Sequence, residues 1–190
     1  MAFCNCNTSS PAHLTVWRQS LLFNGNGYTV YDNLNGSLVF RVDNYACDKK
    51  QKMFLMDSSG HVLFTVCRCH EKKLSILESW KAYKGEKDGG SGGDQKPFMV
   101  ATKAFRSPSC SITVVTGAKY QIKWSCKEGW SKIFPEAAAT LPVAQVSRKC
   151  GTAPEFSSFG KDVFTLIVHP SSRVDQAMVM AMVMISDAMK

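Results

Sequence analysis

Ala177-Met178-Val179-Met180-Ala181-Met182-Val183-Met184-Ile185 is a run of nine apolar residues with no polar break. Its alternation of Met with Val or Ala also suits a strand. The Ala and Met content and the extension to Met189 favour a helix. So does Ser172-x-x-Asp175 ahead of it, a spacing found at helix N-termini. The reading predicts a helix over about 173–189. A helix that is apolar on every side has to be surrounded. A bilayer is a poor candidate, because the stretch falls short of the ~20 residues a spanning helix needs. Asp175 and Asp187 also bracket it. The better container is the chain's own sheet.

Upstream, the sequence supplies that sheet. Tyr28-Thr29-Val30-Tyr31 leads through Asp32-Asn33-Leu34-Asn35-Gly36 into Ser37–Asp43, where Leu38, Phe40 and Val42 share one face. The unit recurs. Met53–Met56 leads through Asp57-Ser58-Ser59-Gly60 into His61–Val66, and aligning Gly36 with Gly60 matches Leu38/Val62, Phe40/Phe64 and Val42/Val66. In each copy Asp can close the turn through its side chain and Gly can take positive φ. A weaker third copy joins Ile133-Phe134 to Val143–Val146 through the longer turn 135–142. Further strands are expected at Leu74–Leu77, Trp80–Tyr83, Pro97–Thr102, Ser111–Thr116, Tyr120–Ser125 and Val163–His169. A sheet of about a dozen strands usually curls, splits or closes, and a closed barrel of that size has an interior that the apolar helix can fill. The expected fold is therefore mostly β, a closed antiparallel barrel of about twelve strands around a buried apolar C-terminal helix. Residues 1–13 read as a mobile tail and 14–190 as one domain. Gly85–Gln95, with five glycines and four charges, reads as a flexible loop.

Composition fits this picture. The 190 residues are 45% hydrophobic and 20% charged, which suits one globular domain. The net charge of +8 is concentrated, with twelve bases and seven acids in residues 47–106 against two of each in residues 1–46. A basic chain favours acidic partners, whether anionic phospholipid head groups, nucleic acid or acidic proteins. The N-terminus has no basic and apolar signal pattern, so export is not expected and the eight cysteines should stay reduced. Cys4 and Cys6 are candidate acylation sites without a recognised lipidation motif around them.

Several segments carry a resemblance. Leu21–Asp32, Leu38–Tyr45, Leu55–Gly60, Trp80–Glu86, Val146–Lys149 and Gly160–Pro170, followed by the apolar helix, closely resemble the plant LURP-one-related family over residues 14–189. The resemblance implies a fold like the C-terminal domain of tubby proteins, which phospholipid scramblases are thought to share. It also implies a role in plant defence signalling. Because tubby domains bind phosphoinositides, it raises membrane-lipid binding as a function. The long turn at 135–142 and the insertion at 85–95 depart from the family pattern.

No catalytic pattern appears. H-E-x-x-H, G-x-S-x-G and G-x-x-x-x-G-K-[ST] are all missing from the sequence, and a non-enzymatic protein with no cofactor is expected. Cys67, Cys69 and His70 cluster within one strand, but ligands from one strand need partners from elsewhere to make a metal site. Lys49, Lys50 and Lys52 with Lys72 and Lys73 form the candidate patch for anionic lipid, where each membrane-facing Lys contributes about 1 kcal/mol. Their bland explanation is protection of strand edges. Trp17, Trp80, Trp124 and Trp130 are expected mainly in the core. The leading expectation is a monomeric, cytoplasmic module that engages anionic membrane lipid, peripherally at the membrane. A protein-interaction adaptor and a membrane-tethered regulator acting on nucleic acid in the nucleus are the alternatives.

Overall fold

A computed structural model describes residues 10–19, 27–44, 52–69, 77–87, 95–149, 162–170 and 174–190. Twelve strands follow one another: β1 Ala12–Trp17, β2 Gly27–Asp32, β3 Leu38–Asn44, β4 Lys52–Asp57, β5 Val62–Cys69, β6 Leu77–Lys84, β7 Met99–Ala104, β8 Ser109–Val114, β9 Lys119–Ser125, β10 Trp130–Pro135, β11 Ala144–Arg148 and β12 Val163–Val168. Each pairs antiparallel with its sequence neighbours, and β1 closes the barrel against β12 from Ala12↔Val168 to Trp17↔Val163. Closure leaves no open sheet edge. Ala12 and His13 thus belong to the first strand, two residues ahead of the expected domain start.

The repeated hairpins share their details. Asp32 Oδ1 accepts from the Leu34 amide, and Asp57 Oδ1 accepts from the Ser59 and His61 amides. Gly36 and Gly60 take φ of 70° and 88°, a region that an L side chain rarely adopts. Each unit also has a register shift immediately before the Asp, at Val30/Tyr31 and at Leu55/Met56. The third hairpin pairs Ile133 with Ala144, its long turn holding a short 3-10 segment at Glu136–Ala138.

Other boundaries moved. The two strands expected at Leu74–Leu77 and Trp80–Tyr83 are one strand from Leu77, with 74–76 outside the described residues. The expected Ser111–Thr116 strand runs two residues earlier, because Val115 and Thr116 enter the turn that Gly117 makes at φ 86°. In the 85–95 segment, Gly85 to Lys87 fold over β5: Thr65 Oγ1 donates to the Gly85 carbonyl and accepts from the Lys87 amide. Residues 88–94 lie outside the described residues.

The helix, α1 Gln176–Ala188, runs up the barrel, and Met178 to Ser186 are all buried. Its start differs from the expectation. Asp175 is itself the N-cap, its Oδ1 accepting from the Met178 amide at 2.7 Å, so the first helical turn forms after it. The inward rows of the strands complete the core, with Val30, Val42, Leu55, Val66, Ala82 and Ala101 at 0% exposure. Alanines and valines among them leave room for four methionines of the helix, whose unbranched chains fill irregular gaps.

Candidate functional site

Chain direction gives the barrel two unlike ends. The tight Asp-to-Gly turns and the start of α1 lie at one, the base. The last residues of β1, β3, β5, β7, β9 and β11 lie at the other, the mouth, where α1 ends.

Asp187, in the last turn of α1, is the hub of the mouth. Arg18 Nη2 donates to both of its oxygens at 2.7 and 2.8 Å, and Lys190 Nζ lies 3.4 Å away. The Tyr28 hydroxyl, from the second residue of β2, donates to Oδ2. Burial pushes the Tyr28 phenol well above its ordinary range, and the neighbouring Asp187 charge pushes it further. Tyr28 therefore holds its proton and acts as a fixed donor. Across the mouth, Glu78 accepts from the Trp80 indole at 3.2 Å and faces Arg68 at 3.3 Å and Lys103 at 4.0 Å. Lys103 also donates to the Met189 carbonyl. A cation at the helix C-terminus satisfies carbonyls that lack a helical partner and complements the negative end of the dipole.

Two clefts flank this hub and share Arg18, Asp187 and Lys190. The larger, about 700 Å³, has Val42, Met53, Trp80 and Ala188 as apolar wall and Tyr28 and Asn44 as polar wall. The smaller, about 380 Å³, adds Trp130, Arg148 and Phe164. The Arg18 guanidinium also lies 5.1 Å from the Phe164 ring centre. This arrangement can hold an amphipathic anion, with cations at the rim and apolar surface within.

Charge is divided between the ends. Among the described residues the mouth half holds eleven bases: Arg18, Lys52, Arg68, Lys103, Arg106, Lys123, Lys127, Lys132, Arg148, Lys149 and Lys190. Five acids oppose them: Asp43, Glu78, Glu128, Asp162 and Asp187. The base has three bases, Lys84, Lys96 and Lys119, against four acids, Asp32, Asp57, Glu136 and Asp175. Arg41, Lys81, Glu86 and Lys87 lie between.

Of the residues singled out in the sequence, Lys52 is in the structure at the mouth end of β4. Its ammonium donates to the Lys87 carbonyl and lies 4.7 Å from the Phe54 ring centre. Lys49, Lys50, Lys72, Lys73, Cys4 and Cys6 lie outside the described residues. Cys67 and Cys69 are half-buried free thiols on the outer face of β5, and His70 lies outside the described residues. Burial raises the Cys67 thiol against the pull of Lys87, Lys52 and Lys81. Among the described residues no three His, Cys, Asp or Glu converge to hold a metal ion, and no helix is long and apolar enough to cross a membrane. The tryptophans divide: Trp80 and Trp124 are core, while Trp17 at the mouth is 45% exposed. The hub was not legible beforehand. Arg18 and Tyr28 meet Asp187 across 169 and 159 residues, and the only sequence signal was an acid at the end of an apolar helix.

A family model described as LURP-one-related matches residues 12–187. Protein LURP-one-related 8 of Arabidopsis thaliana is 38% identical over 189 residues, covering 97% of this chain and 90% of that protein. Protein LURP-one-related 5 of the same plant is 35% identical over 181 residues, covering 92% and 81%. An X-ray structure of an Arabidopsis thaliana protein superposes with a TM-score of 0.63 over 95% of this chain and 91% of that one. At 22% identity that likeness concerns the fold alone.

Proposed function

The chain belongs to the LURP-one-related family, and from that premise we propose that it is a non-enzymatic binding module that engages anionic phospholipid at the mouth of its barrel. The observation that carries this reading is the 700 Å³ cleft whose rim is Arg18 and Lys190 and whose wall is Val42, Met53 and Trp80. A phospholipid needs such a pairing, with cations for the head group and apolar surface beside them for the first carbons. The charge division between mouth and base supports it, because an anionic membrane would attract one end of the barrel. The tubby-like resemblance supports it by analogy only. Within the cleft the Asp187 carboxylate is taken up by Arg18, Lys190 and the Tyr28 hydroxyl, and the rim carries two cations to that one acid beside an apolar wall. A place at the cytoplasmic face of a membrane belongs to the same proposal, and a part in plant defence is proposed from the family resemblance alone.

Co-sedimentation with neutral and phosphoinositide-containing vesicles, at low and physiological salt, tests it. Binding that needs the phosphoinositide and survives physiological salt is expected. Binding that disappears at physiological salt reduces the effect to screened charge. Absence of binding in all conditions sinks the reading.

A protein-interaction adaptor is the second reading, favoured by a specific feature of the base. There the turns present Leu34, Val115 and Leu141 at 91%, 61% and 74% exposure, an apolar set remote from the cationic mouth.

A further inference from the structure

We infer that the barrel docks on an anionic bilayer mouth-first, and that among the described residues the Phe105-Arg106 turn and Trp17 enter the membrane interface. This deepens the lipid reading above and rests on it, adding an orientation and the residues that set it.

Among the described residues, three large apolar side chains are exposed at the mouth: Trp17 at 45%, Leu77 at 52% and Phe105 at 72%. Their placement is ordered. Leu77 begins β6 opposite Ala104, the last residue of β7, so Leu77 and Phe105 mark the same point on the rim. Trp17 ends β1. In the closed strand order five strands separate β1 from β7 in either direction, which puts the two apolar points diametrically across the mouth. Two opposed anchors resist tilt along the line that joins them, whereas one would leave the barrel free to tilt in every direction.

The backbone holds Phe105 outward at a cost. Arg106 has φ 58°, a left-handed conformation that is unfavourable for a side chain other than glycine. The Ser107 amide closes the turn on the Ala104 carbonyl at 3.0 Å, and the Arg106 guanidinium lies 5.1 Å from the Phe105 ring centre. The tip is therefore an aromatic ring beside a cation. Such a pair suits the head-group region, where rings sit at the interface and cations meet lipid phosphate. The base has exposed leucines too, but among the described residues its charges nearly balance, so an anionic bilayer is drawn to the basic mouth in preference to that end.

The test uses the full chain and phosphatidylcholine vesicles with and without phosphatidylinositol bisphosphate. Phe105→Asp is expected to weaken binding to the anionic vesicles by at least about tenfold. Leu34→Asp, at a still more exposed position at the base, is expected to bind like the parent. Arg106→Gly suits the positive φ, so its melting temperature should be unchanged or higher, yet it should bind about fivefold more weakly through loss of one membrane-facing cation. Soluble inositol trisphosphate, which needs no insertion, should bind the parent and Phe105→Asp alike. Parent-like vesicle binding by both Phe105→Asp and Arg106→Gly would overturn the orientation while leaving the lipid reading intact. Equal losses in Leu34→Asp and Phe105→Asp would overturn it as well. A parent chain that ignores anionic vesicles removes the lipid reading, and the orientation with it.

Discussion

Asp187 shows how much one side chain can hold. It collects Arg18, Tyr28 and Lys190 while only 14% exposed, so it ties β2 and the segment after β1 to the end of the helix. Asp187→Ala leaves a half-buried phenol and two cations without their acceptor. A loss on the order of 2 kcal/mol is expected in urea unfolding. Tyr28 adds a pH signature. Its folded-state pKa lies above its ordinary value of 10.0, so the folded chain keeps a proton that the unfolded chain releases. The contribution is fully present below pH 10.0 and is lost as pH rises toward the folded-state value. Melting measured from neutral to strongly alkaline pH should show this decline, and Tyr28→Phe should lessen it. Thiols give a third check. Burial pushes Cys110 up to about 12, whereas Cys126 is exposed. A thiol reagent at neutral pH should label Cys126 readily and Cys110 only on unfolding.

At the scale of elements, α1 is held by its two ends and by the space around it. Its N-terminus depends on one cap, and Asp175→Ala should cost about 1 kcal/mol. Ser186 offers the reverse case. It is 1% exposed and its hydroxyl has no hydrogen-bond partner among the described residues. Ser186→Ala should therefore be neutral or stabilising by up to about 1 kcal/mol, read as a rise in melting temperature. The repeated hairpins explain why the sequence pattern was easy to see. Asp32 and Asp57 close local turns through their own side chains, so turn type, register shift and glycine conformation are all encoded within about ten residues. Strand ends elsewhere moved, because Val115 and Thr116 are apolar or β-branched enough for a strand yet are taken by the turn at Gly117.

For the molecule as a whole, closure by β1 is the step that leaves no edge. Removing residues 1–17 would expose β2 and β12 as neighbouring open edges and uncover the helix between them. Such a chain is expected to aggregate, which size-exclusion chromatography beside the full chain would reveal. The amino-acid sequence by itself determined the fold class, because these features are local: period-two strands, Asp-to-Gly turns, and a helix too apolar to be left unsurrounded. It located the helix and nearly all strands, and the segments that resemble the LURP-one-related family lie in the same order. It did not reveal the mouth. Arg18, Tyr28 and Asp187 are far apart in sequence, Lys103 meets the helix end only through barrel closure, and Phe105 and Trp17 become opposed only when twelve strands form a ring. The lysines chosen from sequence were chosen by adjacency along the chain, and of these only Lys52 falls among the described residues. Local pattern sets which elements form. Which charges share an end depends on strand direction and ring order, and those exist only in the closed tertiary structure.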